Sequence, residues 1–165
     1  MEPRNPYGAP QAKVADPAPR PGSPYKAVLL GLLTDFGGTI ALSVLIALAY
    51  GIQLAAYGAS PEEIEAAAKN LPADSWAFWA GTIGGGGFSV LGGYVCARIA
   101  GQSEYTLGVI LAAISMLLGL VLGGGGDDVG MQVVLHAASI ACVIVGSHIG
   151  KTRNRRARDI PAPAS

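Results

Sequence analysis

The chain has 165 residues, of which 51% are hydrophobic and 13% are charged, and its formal net charge is zero. This length predicts a single domain, and two cysteines are too few for a disulfide framework. The histidines and cysteines lack zinc-ligand spacing, and the one basic cluster is short and has no aromatic partner. The composition therefore predicts no nucleic-acid partner, no metal and no cofactor.

The first 26 residues form a polar, proline-rich segment. Such a segment cannot bury enough apolar surface to fold, so residues 1–26 are predicted to be a disordered tail. The apolar run that follows is longer than the about 7–15 residues of a signal-peptide core. We therefore expect no cleaved signal peptide and a first membrane span that begins at Ala27.

Four apolar stretches follow, at about residues 27–50, 76–100, 106–123 and 131–149. Each approaches the ~20 residues that a helix needs to cross a hydrocarbon core of ~30 Å. The sequence therefore predicts an all-α fold, a four-helix transmembrane bundle over residues 27–150. A basic tail over residues 151–165 completes the chain.

The basic residues are distributed unevenly between the connections. Ten of the eleven Lys and Arg residues lie in the two terminal segments and in the connection that contains Arg98. This alternation follows the positive-inside rule for an even number of spans, so both termini are predicted to be cytoplasmic. The cluster after the last span is predicted either to bind anionic lipid headgroups or to act only as a stop-transfer anchor. Its members are Lys151, Arg153, Arg155, Arg156 and Arg158.

The connection between the first two spans contains a helix signal. Ser60, Pro61 and Glu63 form a capping box with proline at the first helical position. This pattern predicts a short external helix of about ten residues. Ser75 is predicted to cap the second span in the same way.

Small and polar residues recur at every fourth position along spans 1 and 2. Residues four apart share one helix face, and in lipid such small faces let two backbones approach closely. Spans 1 and 2 are therefore predicted to pack along these stripes, within one chain or between copies. The predicted packing residues are Gly31, Thr39 and Ser43 on span 1 and Gly81, Gly85 and Gly93 on span 2.

Asp35 is the only acidic residue inside a predicted span. It lies ~13 Å along the helix from Lys26, close to the bilayer centre, where insertion of a carboxylate costs ~3 kcal/mol. It should therefore face protein or water, either as a hydrogen-bonding clamp between helices or as a functional carboxylate. The other members of this candidate polar site are Ser89, Ser115 and Ser139 at a similar depth, and His136 nearer the outer surface.

Glycines interrupt both spans at nearly the depth of Asp35, at residues 37–38 and 84–87. Paired interruptions of this kind can mark unwound transporter helices. Glycine also permits close helix packing, and we attribute these residues to that cause.

The segment Leu91–Arg98, at the end of span 2, resembles the glycine-tyrosine-arginine endings of small four-span bacterial membrane proteins of unknown function. The resemblance implies a bacterial inner membrane and carries no activity. We predict a non-enzymatic protein that packs with itself or with a membrane partner. The alternative is a small transporter or channel subunit that uses Asp35 for proton or cation coupling.

Overall fold

The computed structural model describes residues 22–69, 71–122 and 129–158, and these contain helices and no strands. The part of the predicted tail before Gly22, residue 70, residues 123–128 and the last seven residues lie outside the described ranges. The helices are α1 (Pro24–Leu32), α2 (Gly38–Ala56), α3 (Pro61–Lys69), α4 (Trp76–Ala100), α5 (Glu104–Leu122) and α6 (Val129–Arg158), with a π-helical turn (Leu33–Gly37) joining α1 to α2.

Three of the described helical segments are long and apolar enough to cross a membrane, namely Pro24–Ala56, Glu104–Val121 and Gly130–Ala157. The prediction of an all-α chain with membrane-spanning helices is confirmed to that extent. Helix α4 is not among the three, although its 25 residues reach roughly 37 Å. Its seven glycines lower its mean hydropathy, because glycine contributes almost no apolar surface.

The segment Pro24–Ala56, which comprises α1, the π-helical turn and α2, is called the first long helix. It is interrupted at the depth where the sequence places glycines and Asp35. The π-helical turn Leu33–Gly37 contains Asp35 and ends at the glycine pair. By contrast, α4 continues as regular α-helix through residues 84–87. The attribution of both glycine groups to packing alone is therefore incomplete, because the first group lies at a change of helix type.

The two predicted helix starts are confirmed. The Ser60 amide donates to Glu63 Oε2 (2.7 Å), and the Glu63 amide donates to Ser60 Oγ (3.3 Å), which closes the capping box. The pKa of Glu62 lies below its ordinary value because its own backbone amide and then the Ser60 hydroxyl hydrogen-bond to its carboxylate. Ser75 accepts from the Phe78 amide at the start of α4 (3.1 Å).

Helix α4 lies at the centre of the bundle, and its most extensive interface is with α6. The two backbones meet at glycines. A Cβ on Gly93 would overlap the carbonyl oxygen of Val143, and a Cβ on Gly146 would overlap that of Val90. Gly93, which the stripe predicts to pack against the first span, therefore packs against α6.

The first long helix packs on a different face of α4, partly as the stripes predict. A Cβ on Gly31 would lie 2.9 Å from Cys96 Cβ, and one on Gly85 would lie 3.6 Å from Thr39 Cγ2. Gly81 faces Ile46 at a looser 3.9 Å. The stripes therefore mark a real helix interface.

Ser43 departs from this pattern, because it is exposed on α2. At 3.6 residues per turn, positions four apart drift by about 40° around the helix axis at each step. Leu42 and Ile46 therefore continue the contact with α4 in place of Ser43.

Helix α6 continues to Arg158, beyond residue 149 where the predicted span ends. Asn154 holds this extension against α4. Its Nδ2 donates to the Ala97 carbonyl oxygen (2.9 Å), and its Oδ1 accepts from Arg98 Nη1 (2.9 Å). The basic segment directly after the span is therefore helical rather than an unstructured tail.

The glycine contacts between α4 and α6 generate a test with a matched pair of substitutions. Gly146→Ala places a methyl group on the Val90 carbonyl, and such overpacking costs about 1–3 kcal/mol. A Cβ on Gly87 of α4 meets nothing within 4 Å, so Gly87→Ala should be neutral or gain up to ~1 kcal/mol of helix propensity. Thermal unfolding in detergent should show a lower midpoint for the first variant only. Equal midpoints would refute the close α4–α6 approach.

Candidate functional site

Asp35 lies inside the π-helical turn with only 4% of its surface exposed. Its backbone carbonyl oxygen accepts hydrogen bonds from the residues that follow the turn. Thr39 Oγ1 donates to that oxygen at 2.7 Å, and the Gly38 amide also bonds to it. Local hydrogen bonds therefore stabilise the irregular backbone that carries the carboxylate.

Two serine hydroxyls donate to the Asp35 carboxylate, and a third serine hydroxyl contacts one of them. Ser89 Oγ on α4 donates to Oδ1 at 2.8 Å, and Ser115 Oγ on α5 donates to Oδ2 at 2.7 Å. Ser139 Oγ on α6 lies 3.2 Å from Ser89 Oγ. Because the single hydroxyl hydrogen of Ser89 is used on Asp35, Ser139 is the donor in that contact. One carboxylate thus links the first long helix to α4, α5 and α6.

The structure brings together Asp35 and the three serines that were predicted to share its depth. Their functional role stays a prediction. His136 belongs to a different set of contacts, since its Nδ1 bonds to the Gln132 carbonyl oxygen at 2.7 Å. Its ring lines the same cavity as Asp35 without joining the serine network.

A cavity of about 740 Å³ lies beside the carboxylate. Along α4 its lining runs from Phe78 to Val90, so it occupies the half of the bundle nearer α3, and Leu71 also lines it. Asp35 and Ser89 lie at its inner end. Most of the remaining wall is apolar side chain or glycine, and the larger groups are Phe36, Phe78, Ile83, Met116, Leu135 and Ile140.

The half of the bundle on the other side of Asp35 contains a close-packed apolar core. Buried apolar side chains from four helices form a core cluster on the side of Asp35 nearer the start of α1 and the end of α4. Gly31 meets Cys96 and Gly92 at this level, so the first long helix and α4 are almost in backbone contact. The cavity therefore has a closed inner end. The fully or nearly fully buried members of the cluster are Ala27, Cys96, Ala100, Leu111, Ala112 and Val143.

Sequence reasoning did not identify the cavity or most of its lining. Cys142 and Thr82 line it, although neither was assigned a site role. The position of Cys142 in the sequence indicates its place in the cavity wall, because Cys142 lies about one helical turn after Ser139 and shares its helix face. Cavity volume depends on how far the helices separate, and helical periodicity does not report that separation.

The basic cluster predicted to meet lipid headgroups lies on the helical extension of α6. Lys151 Nζ lies 4.1 Å from the centre of the Tyr105 ring, and Arg153 donates to the Tyr94 hydroxyl at 3.1 Å. These contacts hold two of the charges against the bundle. The other members are Arg155 and Arg156, both exposed, and Arg158, whose side chain lies outside the described part of the chain.

Comparison of the chain with protein-family models, curated proteins and solved structures found no match. Within the described residues, no group of three or more His, Cys, Asp or Glu side chains is arranged to hold a metal ion. Asp35 and the hydroxyl groups around it are the chemical groups of this site. A carboxylate with hydroxyl donors can bind a cation or accept a proton.

Substitution of Asp35 tests its contribution to the bundle. Asp35→Leu removes the acceptor for two interhelical hydroxyl bonds, and bonds of this kind contribute ~0.6–2 kcal/mol each in membrane proteins. Asp35→Asn keeps one acceptor oxygen and the side-chain shape, so it should lose less. We expect thermal midpoints in detergent to fall in the order wild type, Asn, Leu. A Leu variant as stable as wild type would show that the network does not support the fold.

The two native cysteines test whether water reaches the cavity. Cys142 lines the cavity, whereas Cys96 is fully buried in the core cluster. A charged, membrane-impermeant thiol reagent should label the Cys96→Ala variant and leave the Cys142→Ala variant unlabelled. Mass spectrometry of the intact protein gives the extent of labelling. An unlabelled Cys142 in folded protein would mean that the cavity is dry.

Proposed function

We propose that the chain is a four-span protein of a bacterial inner membrane with both termini in the cytoplasm. The charge distribution of the connections and the length of α4 support a fourth span. Helix α4 contacts α1, α2, α5 and α6, so it needs less apolar surface than a helix that faces lipid on most sides. In this orientation the cavity faces the outer side of the membrane.

The proposed topology is tested with reporter fusions. Green fluorescent protein fused after Ser165 should fluoresce, because it folds in the cytoplasm. Alkaline phosphatase fused after Lys69 should be active, because it folds outside the inner membrane. The opposite pair of results would reverse the orientation.

We propose further that the protein is a small transporter or channel subunit in which Asp35 binds a cation or a proton. The observation that carries this proposal is that a carboxylate 4% exposed lines a cavity of about 740 Å³ with a closed inner end. A carboxylate at membrane depth is costly and usually marks an ion or substrate path. A π-helical turn at the same residue is also typical of functional sites.

The second candidate is the packing or interaction protein predicted from the stripes. The complete pairing of the Asp35 oxygens with serine hydroxyls favours it, because such a clamp needs no ligand. However, Gly31, Gly85 and Gly93 pack within the chain, so the stripes no longer require a second copy or partner. The cavity is also unexplained by a purely packing role. We therefore rank this function second.

The proposed role of Asp35 follows from its contacts. A cation or proton that reaches the carboxylate from the cavity competes with the two serine hydroxyls for the same oxygens. Loss of either serine bond loosens α4 or α5 from the first long helix. Occupancy of the site is thereby coupled to how these helices pack, which is the coupling that transport requires.

The basic extension of α6 is proposed to contact anionic lipid at the cytoplasmic face. Each Lys or Arg near such a surface contributes about 1 kcal/mol. Tyr105 and Tyr94 hold Lys151 and Arg153 in place, which lowers the entropy lost on binding.

Ion flux in vesicles tests the transport proposal. The protein is reconstituted in phosphatidylethanolamine–phosphatidylglycerol vesicles loaded with a pH-sensitive dye, and a pH gradient or a sodium gradient is imposed. Asp35→Asn should lower the flux at least tenfold, because the exchanging carboxylate is gone.

Glu104→Gln is the matched control, since Glu104 is the other buried acidic residue of the described ranges and does not line the cavity. It should keep wild-type flux. Protein-dependent flux that is unchanged by Asp35→Asn, or no protein-dependent flux under either gradient, would favour the packing function.

A further inference from the structure

We propose that the cavity binds a hydrophobic organic cation that enters sideways from the bilayer between α5 and α6. This inference rests on the proposed transport function and names its substrate class and entrance. Two observations carry it: the chemistry of the cavity wall, and a second cavity that meets the first at His136.

The wall of the main cavity fits a large apolar cation better than a small hydrated one. Among the described residues that line it, Asp35 is the only Asp, Glu, Lys or Arg. Metal cations such as Ca²⁺ and Mg²⁺ take about six or more oxygen ligands, whereas this wall is dominated by aliphatic, aromatic and glycine residues. Phe36 and Phe78 line the cavity, and aromatic rings attract cations. One buried negative charge inside an apolar chamber selects a single positive charge on an apolar body.

The size of the cavity agrees with that class of ligand. Its volume of about 740 Å³ lies within the range of roughly 300–1,000 Å³ typical of sites for small organic molecules. A bare proton or an inorganic ion would use only the inner end at Asp35. The apolar remainder is accounted for by a ligand that buries its own apolar surface there.

The second cavity supplies a path from the bilayer. It has a volume of about 300 Å³ and lies between α5 and α6. Of the described residues, Met116, His136 and Ile140 line both cavities. The second cavity is also lined by Leu120 and Val133, which are exposed on the outer surface of the bundle. An apolar cation dissolved in lipid therefore meets an apolar opening that leads toward Asp35.

Binding is tested with tetraphenylphosphonium, and the control ligand is tetraphenylborate, which has the same shape and the opposite charge. Equilibrium dialysis against wild-type protein in lipid nanodiscs should show saturable binding of the cation only. Asp35→Asn should weaken cation binding at least tenfold. Absence of saturable cation binding, equal binding of both ions, or unchanged cation binding by Asp35→Asn would overturn the proposal.

A second variant separates ligand loss from misfolding. Ala138→Trp fills the cavity while it leaves the carboxylate in place, and Ala141→Trp is its matched control. Both alanines are exposed on α6, but only Ala138 lines the cavity. Cation binding should be lost in the first variant and kept in the second. Retention of binding by Ala138→Trp would also overturn the proposal.

The lateral entrance is tested by association kinetics in nanodiscs, followed by quenching of intrinsic tryptophan fluorescence. Val133 lines the second cavity and Val134 does not, and the two side chains are almost equally exposed at 63% and 62%. Val133→Phe should slow association at least threefold, whereas Val134→Phe should leave it unchanged. Equal rates would refute lateral entry.

Different results would refute the proposed transport function and the proposed hydrophobic-cation ligand. Asp35-dependent proton or sodium flux without tetraphenylphosphonium binding would refute the hydrophobic cation and keep the transport function. Asp35-dependent binding that is never accompanied by transport of the ligand or of ions would keep the binding site and refute transport.

Discussion

A buried carboxylate that must find hydrogen-bond donors is the constraint on which this bundle depends. Asp35 is 4% exposed, and an acidic group at membrane depth costs several kcal/mol unless it is paired or solvated. Serine hydroxyls from α4 and α5 donate to its two carboxylate oxygens, and the Ser139 hydroxyl on α6 hydrogen-bonds to the Ser89 hydroxyl. The four longest helical segments are thereby held at one level. On the side of Asp35 away from the cavity, the glycines allow the helix backbones to approach each other closely.

The buried carboxylate also lies at one end of a cavity. On the side of Asp35 away from the cavity, the helices are in near backbone contact through Gly31, Gly92 and the α4–α6 glycines. On the other side α2 still packs on α4, and α4, α5 and α6 surround a cavity that has the carboxylate at one end. A clamp alone would need only the hydroxyl contacts. A clamp that faces an apolar chamber also provides a charged binding position, and a ligand there competes with the bonds that join the helices.

Much of the fold could be predicted from the sequence, because apolar length and capping residues act locally. The bounds of α4 and the Ser60 capping box are examples. The serine partners of Asp35 were also predictable, since depth along a helix follows from counting residues. Other features depend on tertiary packing. Ser43 is exposed beside the α4 interface, Gly93 faces α6, and Asn154 bonds the extension of α6 to α4. Helix separation, and with it the cavity, cannot be obtained from periodicity.

Water access at position 35 tests the central claim most directly. In a Cys96→Ala, Cys142→Ala background, Asp35→Cys is exposed to a membrane-impermeant thiol reagent applied to the outer face. Val44→Cys serves as the control, because Val44 is an exposed apolar residue of the same long helix that does not line the cavity. Our account predicts labelling at position 35 and none at position 44. A folded protein that remains unlabelled at position 35 would contradict it, and Asp35 would then be a structural clamp alone.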